Sequence, residues 1–311
     1  MPIALPIPAP GIYGGIPIAK YHSAEVCPGP SVSSSGLRNF WRTSAAHFYA
    51  DWECNPNRKP SKTSEAMILG GAAHHLLLGE DEFATHFICH PLEMPDAKGL
   101  SKPWTRALGS AKEWLAEQAA TGKVVVSPLQ LEKIRGMARS LARHPLIEAG
   151  VLRGEIEQSM FALDEETGLW LRARPDAIPN DSGDFADLKT TTSVTDFEIK
   201  MTLRSYGYHQ QAALTWEICE AIGVPFDSWT LVFVESDDPY CVRAVALTDD
   251  DLARGRRQNR AMLRMIADCL DHGEWPGPGS ADAEPISLPK TDQEAIDKRL
   301  DEIERDYAQA A

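Results

Sequence analysis

The 311-residue sequence predicts a mixed α/β protein in which a central sheet is flanked by helices and preceded by an N-terminal helical part. Three observations carry this. Segments with helical caps and composition dominate the first 145 residues. Short apolar runs separated by turn residues follow between Glu157 and Thr190. A helix, two strands and a further helix then complete the order.

Taken in sequence, residues 1–22 read as a flexible Pro-rich lead. Ser33-Ser34-Ser35-Gly36 caps a helix over 37–51, and a polar, proline-containing loop follows at 55–62. The next helix, 63–79, contains Gly70-Gly71-Ala72-Ala73, small enough for another backbone to approach closely. Residues 91–103 read as loop. Helices are expected over 104–120 and 128–143, the second opened by Ser127-Pro128-Leu129-Gln130, a capping box with proline at the first helical position. Strands are expected at 157–163, 169–178 and 184–190, forming an antiparallel meander with turns at 164–168 and 180–183. A helix over 205–221 ends at Gly223-Val224-Pro225. Strands 228–235 and 240–247 flank a turn, and a helix covers 249–271. Residues 23–278 are thus expected as one domain, helical to about 145 and sheet-based from about 150, with an acidic tail over 279–311.

Composition narrows the function classes. The net charge of −14 argues against a protein that coats nucleic acid nonspecifically, although local basic surface is available near the N-terminus and at Arg254, Arg256, Arg257, Arg260 and Arg264. The first 17 residues contain five prolines and no Lys or Arg, unlike a signal peptide. No stretch approaches the ~20 apolar residues of a membrane helix, so a cytoplasmic protein without a membrane role is expected. The six cysteines are scattered and form no C-x-x-C pair, which gives an iron–sulfur cluster or zinc site no support.

The most informative residues are Asp176, Asp187 and Lys189. Residues two apart on a strand share a face, so Asp187 and Lys189 project together with Leu188 turned to the core. Asp176 lies one hairpin earlier and reaches the same spot. Two carboxylates, with the Leu188 carbonyl as a further oxygen donor, suit Mg²⁺, for which Mn²⁺ would substitute. Lys189 would orient or deprotonate an attacking water, or stabilise charge on the phosphorus. A surface hairpin bearing solvated charges is the competing reading of the bare spacing.

With these residues, Arg172-Ala173-Arg174-Pro175-Asp176 and Asp187-Leu188-Lys189-Thr190 resemble the central motif of the PD-(D/E)xK nuclease superfamily. Gly70-Gly71-Ala72-Ala73-His74-His75 resembles its G-x-x-x-H helix, and Tyr208-His209-Gln210-Gln211 its glutamine-bearing helix. Tyr21-His22, Ser33 to Leu37 and Gly273-Glu274-Trp275-Pro276-Gly277 are similar to sequences near the ends of the RecE-type, exonuclease VIII-like branch of phages and prophages. One departure is Thr215, where that branch often has tyrosine. The resemblance implies a restriction-endonuclease-like core and an Mg²⁺-dependent exodeoxyribonuclease that degrades linear duplex DNA 5′ to 3′, leaving 3′ single strands for recombination. It implies DNA ends and a RecT-type annealing protein as partners, and a homo-oligomeric ring. It assigns Asp176, Asp187, Lys189 and Glu157 to catalysis, with His74 (or His75), Glu157, Asp176, Asp187 and Leu188 at the metal. Gln211, Tyr208, Ser35, Arg172 and Arg174 are the expected DNA contacts. An endonuclease or single-strand nuclease of the same superfamily, and a non-catalytic DNA-end or protein-binding module, are the alternatives.

Overall fold

The computed structural model describes residues 5–7, 9–59, 65–78, 80–152, 154–156, 158–178, 182–279 and 282–310. The first half of the chain comprises β1 (Gly11–Tyr13), α1 (Ile18–Tyr21), β2 (Ser31–Ser33), α2 (Ser34–Arg42), α3 (Ala45–Asp51), α4 (Glu65–Leu78), α5 (Glu80–His86), β3 (Phe87–Cys89), β4 (Glu93–Pro95), β5 (Ser101–Pro103), α6 (Gly109–Thr121), β6 (Val124–Val126), α7 (Pro128–Ala142) and α8 (Pro145–Glu148). The second half comprises β7 (Glu155–Ile156), β8 (Ser159–Leu163), β9 (Trp170–Ala173), β10 (Ala177–Ile178), β11 (Asp184–Thr191), α9 (Asp196–Tyr206), α10 (Tyr208–Ile222), β12 (Ser228–Glu235), β13 (Val242–Ala246), α11 (Asp249–His272) and α12 (Lys290–Ala310). The chain divides into a unit spanning Met1–Pro276 and a second, Gly277–Ala311.

The expected meander is split between two sheets. One has the order β1-β8-β9-β2; the other has β13-β12-β11-β10-β7. Pro175 explains the break after β9. It has no N–H for a ladder, so the chain leaves the first sheet and enters the second at Ala177.

In the second sheet β11 and β12 run parallel from Asp184↔Ser228 to Thr191↔Glu235, joined through α9 and α10. Their side chains alternate between two cores, as the strand period requires. Phe185, Trp229, Leu231 and Phe233 pack with Leu214 and Ile218 of α10. Ala186, Leu188, Val232 and Val234 pack with Leu69, Ala72 and Ala73 of α4 and with Ile134 and Met137 of α7. A Cβ built on Gly70 would stand 3.2 Å from Thr190 Oγ1, so the glycine gives α4 its close seat on β11.

The lead is not a trailing segment. Ile7, Ile16 and Tyr21 are buried with Phe161 and Trp170, and β1 pairs antiparallel with β8. Its prolines interrupt helix, but its apolar side chains still cover one edge of the first sheet. Among the described residues no helix is long and apolar enough to cross a membrane.

Candidate active site

Asp187 and Lys189 occupy alternate positions of β11 and point toward α10. Gln211 of α10 donates from Nε2 to Asp187 Oδ1 at 3.0 Å. The Lys189 ammonium pairs with Asp187 Oδ2 and lies 5.0 Å from the Tyr208 ring centroid. Asp176 reaches the strand from the break between the sheets. β10 pairs with β11 at Ala177↔Ala186, and the next N–H on that edge, from Leu188, donates to Asp176 Oδ2 at 2.6 Å. A strand residue directs its N–H and carbonyl to the same edge, so the Leu188 carbonyl faces the side occupied by Asp176. The three residues singled out by their spacing therefore converge.

The electrostatics follow from burial. Asp187 is 2% exposed. Burial pushes its carboxyl above the usual carboxylate range, against the pull of Lys189 and with the Asp176 charge adding to the rise. Burial alone would lower Lys189, but Asp187 and Asp176 outweigh it and hold the ammonium charged. The cluster opens into a cleft of about 340 Å³ lined by Ser33, Ser34, Ser35, Arg38, Arg174, Asp176, Lys189 and Gln211 among others. β2 runs parallel to β9 and leads directly into α2, whose N-terminus is thereby aimed at this cleft. Ser33 caps it by accepting from Gly36 N and shares a hydrogen bond with Ser35 (2.8 Å between the hydroxyl oxygens).

Arg38 is the site residue that the sequence reading missed. It lines the cleft one turn into α2, bonds to the Tyr206 carbonyl at 2.9 Å and lies 5.9 Å from the Tyr208 ring centroid. Burial lowers its pKa. Its signal in the sequence is its position four residues after Ser34, one turn into the capped helix.

Not every other expected residue is placed at the cleft. Arg172 does not contact the surface: it is fully buried, pairs with Glu53 Oε2 at 2.7 Å and donates to the Tyr21 carbonyl. Its place on the inward face of β9 makes it a strut. Arg174 remains at the cleft, anchored to the Ile16 carbonyl at 2.8 Å. Tyr208 is 9% exposed and lies beneath Lys189 and Arg38 as their support, not as a surface contact. His74 stands one turn past Gly70 on α4, the helix covering the opposite face of β11, and its side chain lies outside the described residues. His75 rests against His86 and Phe87. Glu157 lies outside the described residues. Arg260 and Arg264 are engaged by Asp164 and Glu166.

The donors present fit a hard divalent cation: two carboxylates and a backbone carbonyl, all oxygen. Among the described residues no three His, Cys, Asp or Glu side chains gather to hold a metal ion. The set described is thus a carboxylate pair that water or further side chains would complete.

The model of the PDDEXK-like domain of unknown function (DUF3799) matches residues 33–285, which include every member of this cluster. The chain belongs to that family. Its fold is similar to that of a protein named "Putative exonuclease" from Eubacterium rectale, at 16% identity and TM-score 0.54, over 83% of this chain and 91% of that chain. A phage related exonuclease from Haemophilus somnus 129PT matches at 12% identity over 78% of this chain and 96% of that chain, with a TM-score of 0.33 too low to bear on the fold. No curated protein matches the chain. The PDDEXK-like chain thus carries the nuclease-type α/β core expected of its motifs, with the helical part packed against the sheet.

Proposed function

We propose that this PDDEXK-like protein is an Mg²⁺-dependent exodeoxyribonuclease that hydrolyses linear duplex DNA from its ends, 5′ to 3′, leaving 3′ single strands for recombination. The convergence of Asp176, Asp187, Lys189 and Gln211 at the mouth of α2 carries this reading. Asp176, Asp187 and the Leu188 carbonyl would hold the cation, with Glu157 and His74 as further ligands; Mn²⁺ would substitute. When bound there, such an ion would supply Lewis-acid polarisation of the phosphate and a reactive water.

The chain's own groups do the rest. Gln211 fixes one Asp187 oxygen, and the Leu188 N–H fixes one Asp176 oxygen. These bonds prevent the two carboxylates from rotating apart. Lys189, held charged by its two neighbours, stands ready to stabilise negative charge developing on the phosphate oxygens. Arg38, Arg174 and Ser35 line the wall against which the DNA backbone would lie. By family resemblance the enzyme works with a RecT-type annealing protein and assembles as a ring.

The test is digestion of linear duplex labelled at the 5′ end or the 3′ end in separate reactions, beside closed-circular duplex. Mg²⁺-dependent early loss of the 5′ label, with the circle intact, is expected. Cleavage of the circle would make the protein an endonuclease, and no cleavage of any DNA with Mg²⁺ or Mn²⁺ would sink the proposal.

A further inference from the structure

A second concavity lies beside the cleft, between α2 and α11. Its volume is about 460 Å³, and Trp41, His209, Arg257 and Gln258 are among its lining residues. Trp41 is 50% exposed, an unusual position for a large planar ring. Arg257 is exposed, and among the described residues it has no ion-pair partner. Its helix neighbours differ: Arg254 is engaged by Asp250 and Asp251, and Arg256 by Glu217 and Glu220. His209 of α10 and Gln258 of α11 bond at 2.7 Å, which ties α10 to α11 at the floor of the groove.

This groove continues from the cleft along two elements. Arg38, which lines the cleft, is three residues before Trp41 on α2, and such positions are helix neighbours about 5–6 Å apart. Tyr208, beneath Lys189, immediately precedes His209 on α10. We infer that the groove holds a single-stranded DNA segment at the edge of the active cleft, with a base stacked on Trp41 and a phosphate on Arg257. This rests on the nuclease reading above. An exposed indole favours a single strand because a base offers its π-face only when unstacked from its neighbours. An unpaired guanidinium on a protein of net charge −14 marks the spot where a phosphate gains a partner.

The test uses the full chain in EDTA with a fluorescent oligothymidylate of about twelve nucleotides, read by anisotropy. Trp41→Ala and Arg257→Glu should each weaken binding about tenfold, and Trp41→Phe should restore most of it. Both side chains project from the surface, so circular dichroism should be unchanged. Binding equal to wild type in both variants, no detectable binding by the wild type, or equal Trp41-dependent capture of an acidic peptide would overturn the inference. Duplex cleavage by the wild type with Mg²⁺ is scored separately. Cleavage with Trp41-independent oligonucleotide binding removes the groove and keeps the nuclease; Trp41-dependent binding without cleavage does the reverse.

Discussion

Asp187 shows how a single residue can be set against its own surroundings. A carboxylate 2% exposed and next to Asp176 is held by one ammonium and one amide, so its ionised form is stabilised less than in water. Under the proposed function, Asp187→Ala should lower hydrolysis by on the order of a thousandfold, since it would remove an anion from the reacting centre, while thermal unfolding of the metal-free protein shifts little. Activity near wild type in that variant would remove the mechanism. Glu53 makes the opposite case. Burial works upward on its carboxyl, but His22 and Arg172 outweigh burial and hold it down to about 2. Its folded value lies below the unfolded value of about 4.3, so its contribution to stability is present above that value and fades as pH falls toward 2. Glu53→Gln leaves Arg172 buried without its charge partner and should cost about 3 kcal/mol at neutral pH. The gap to wild type should close in urea melts repeated through the acid window; a gap constant with pH would show that the pair is not the cause. Asp187 and Lys189 were legible because strand spacing fixes direction, and Asp176 because the short turn that follows it brings it back beside their strand. Arg172 was misread because a charge in a motif carries no sign of its depth, and only the partner, 119 positions earlier in the chain, supplies it.

At the scale of elements, the α10–α11 crossing decides where Gln211 stands. Gly255 of α11 lies against α10 so closely that a Cβ there would meet the His209 carbonyl oxygen at 2.4 Å and Ala213 Cβ at 3.1 Å. Beside it, Asn259 donates to the Gln210 carbonyl at 2.8 Å and accepts from Gln210 Nε2 at 3.3 Å, both residues being buried. Gly255→Ala would gain about 1 kcal/mol in helix propensity, but the contact is with backbone and cannot yield without moving a helix. Overpacking of this kind costs about 1–3 kcal/mol, so the net effect should be a lower melting temperature, accompanied by reduced activity because α10 carries Gln211. A variant more stable than wild type would show that the crossing has slack. Element legibility follows the same logic. The strand at 228–235 and the helix at 249–271 were visible because caps and apolar runs agree locally. The expected helix at 37–51 is two, since Ser44 caps a second start by accepting from His47 N. α9 was missed because the expected helix begins only at 205, whereas Gly207, at φ 63°, ends one helix and begins the next. The division into two sheets was not legible because register across Pro175 is set by tertiary pairing.

For the whole molecule, the proposed function requires a chain of net charge −14 to approach a polyanion. The charge is not evenly spread. Residues 277–311 carry nine acidic and four basic side chains, and within 282–305 every side chain is exposed apart from the half-buried Glu302 and Ile303. The cleft, by contrast, is walled by Arg38, Arg174 and Lys189. Since Gly277–Ala311 is a unit by itself, ending the chain after Pro276 should leave melting of the first unit within about a degree or two, given how little a solvated segment contributes to a core. The excision also removes five net negative charges, lowering the long-range repulsion that opposes encounter with DNA. The shortened protein should then bind duplex several-fold more tightly at low ionic strength. The advantage should vanish near 0.5 M salt, where the screening length falls to about 4 Å. A salt-independent gain would point instead to direct occlusion of the cleft by the tail, and weaker binding at low salt would show that the tail itself contributes to holding DNA.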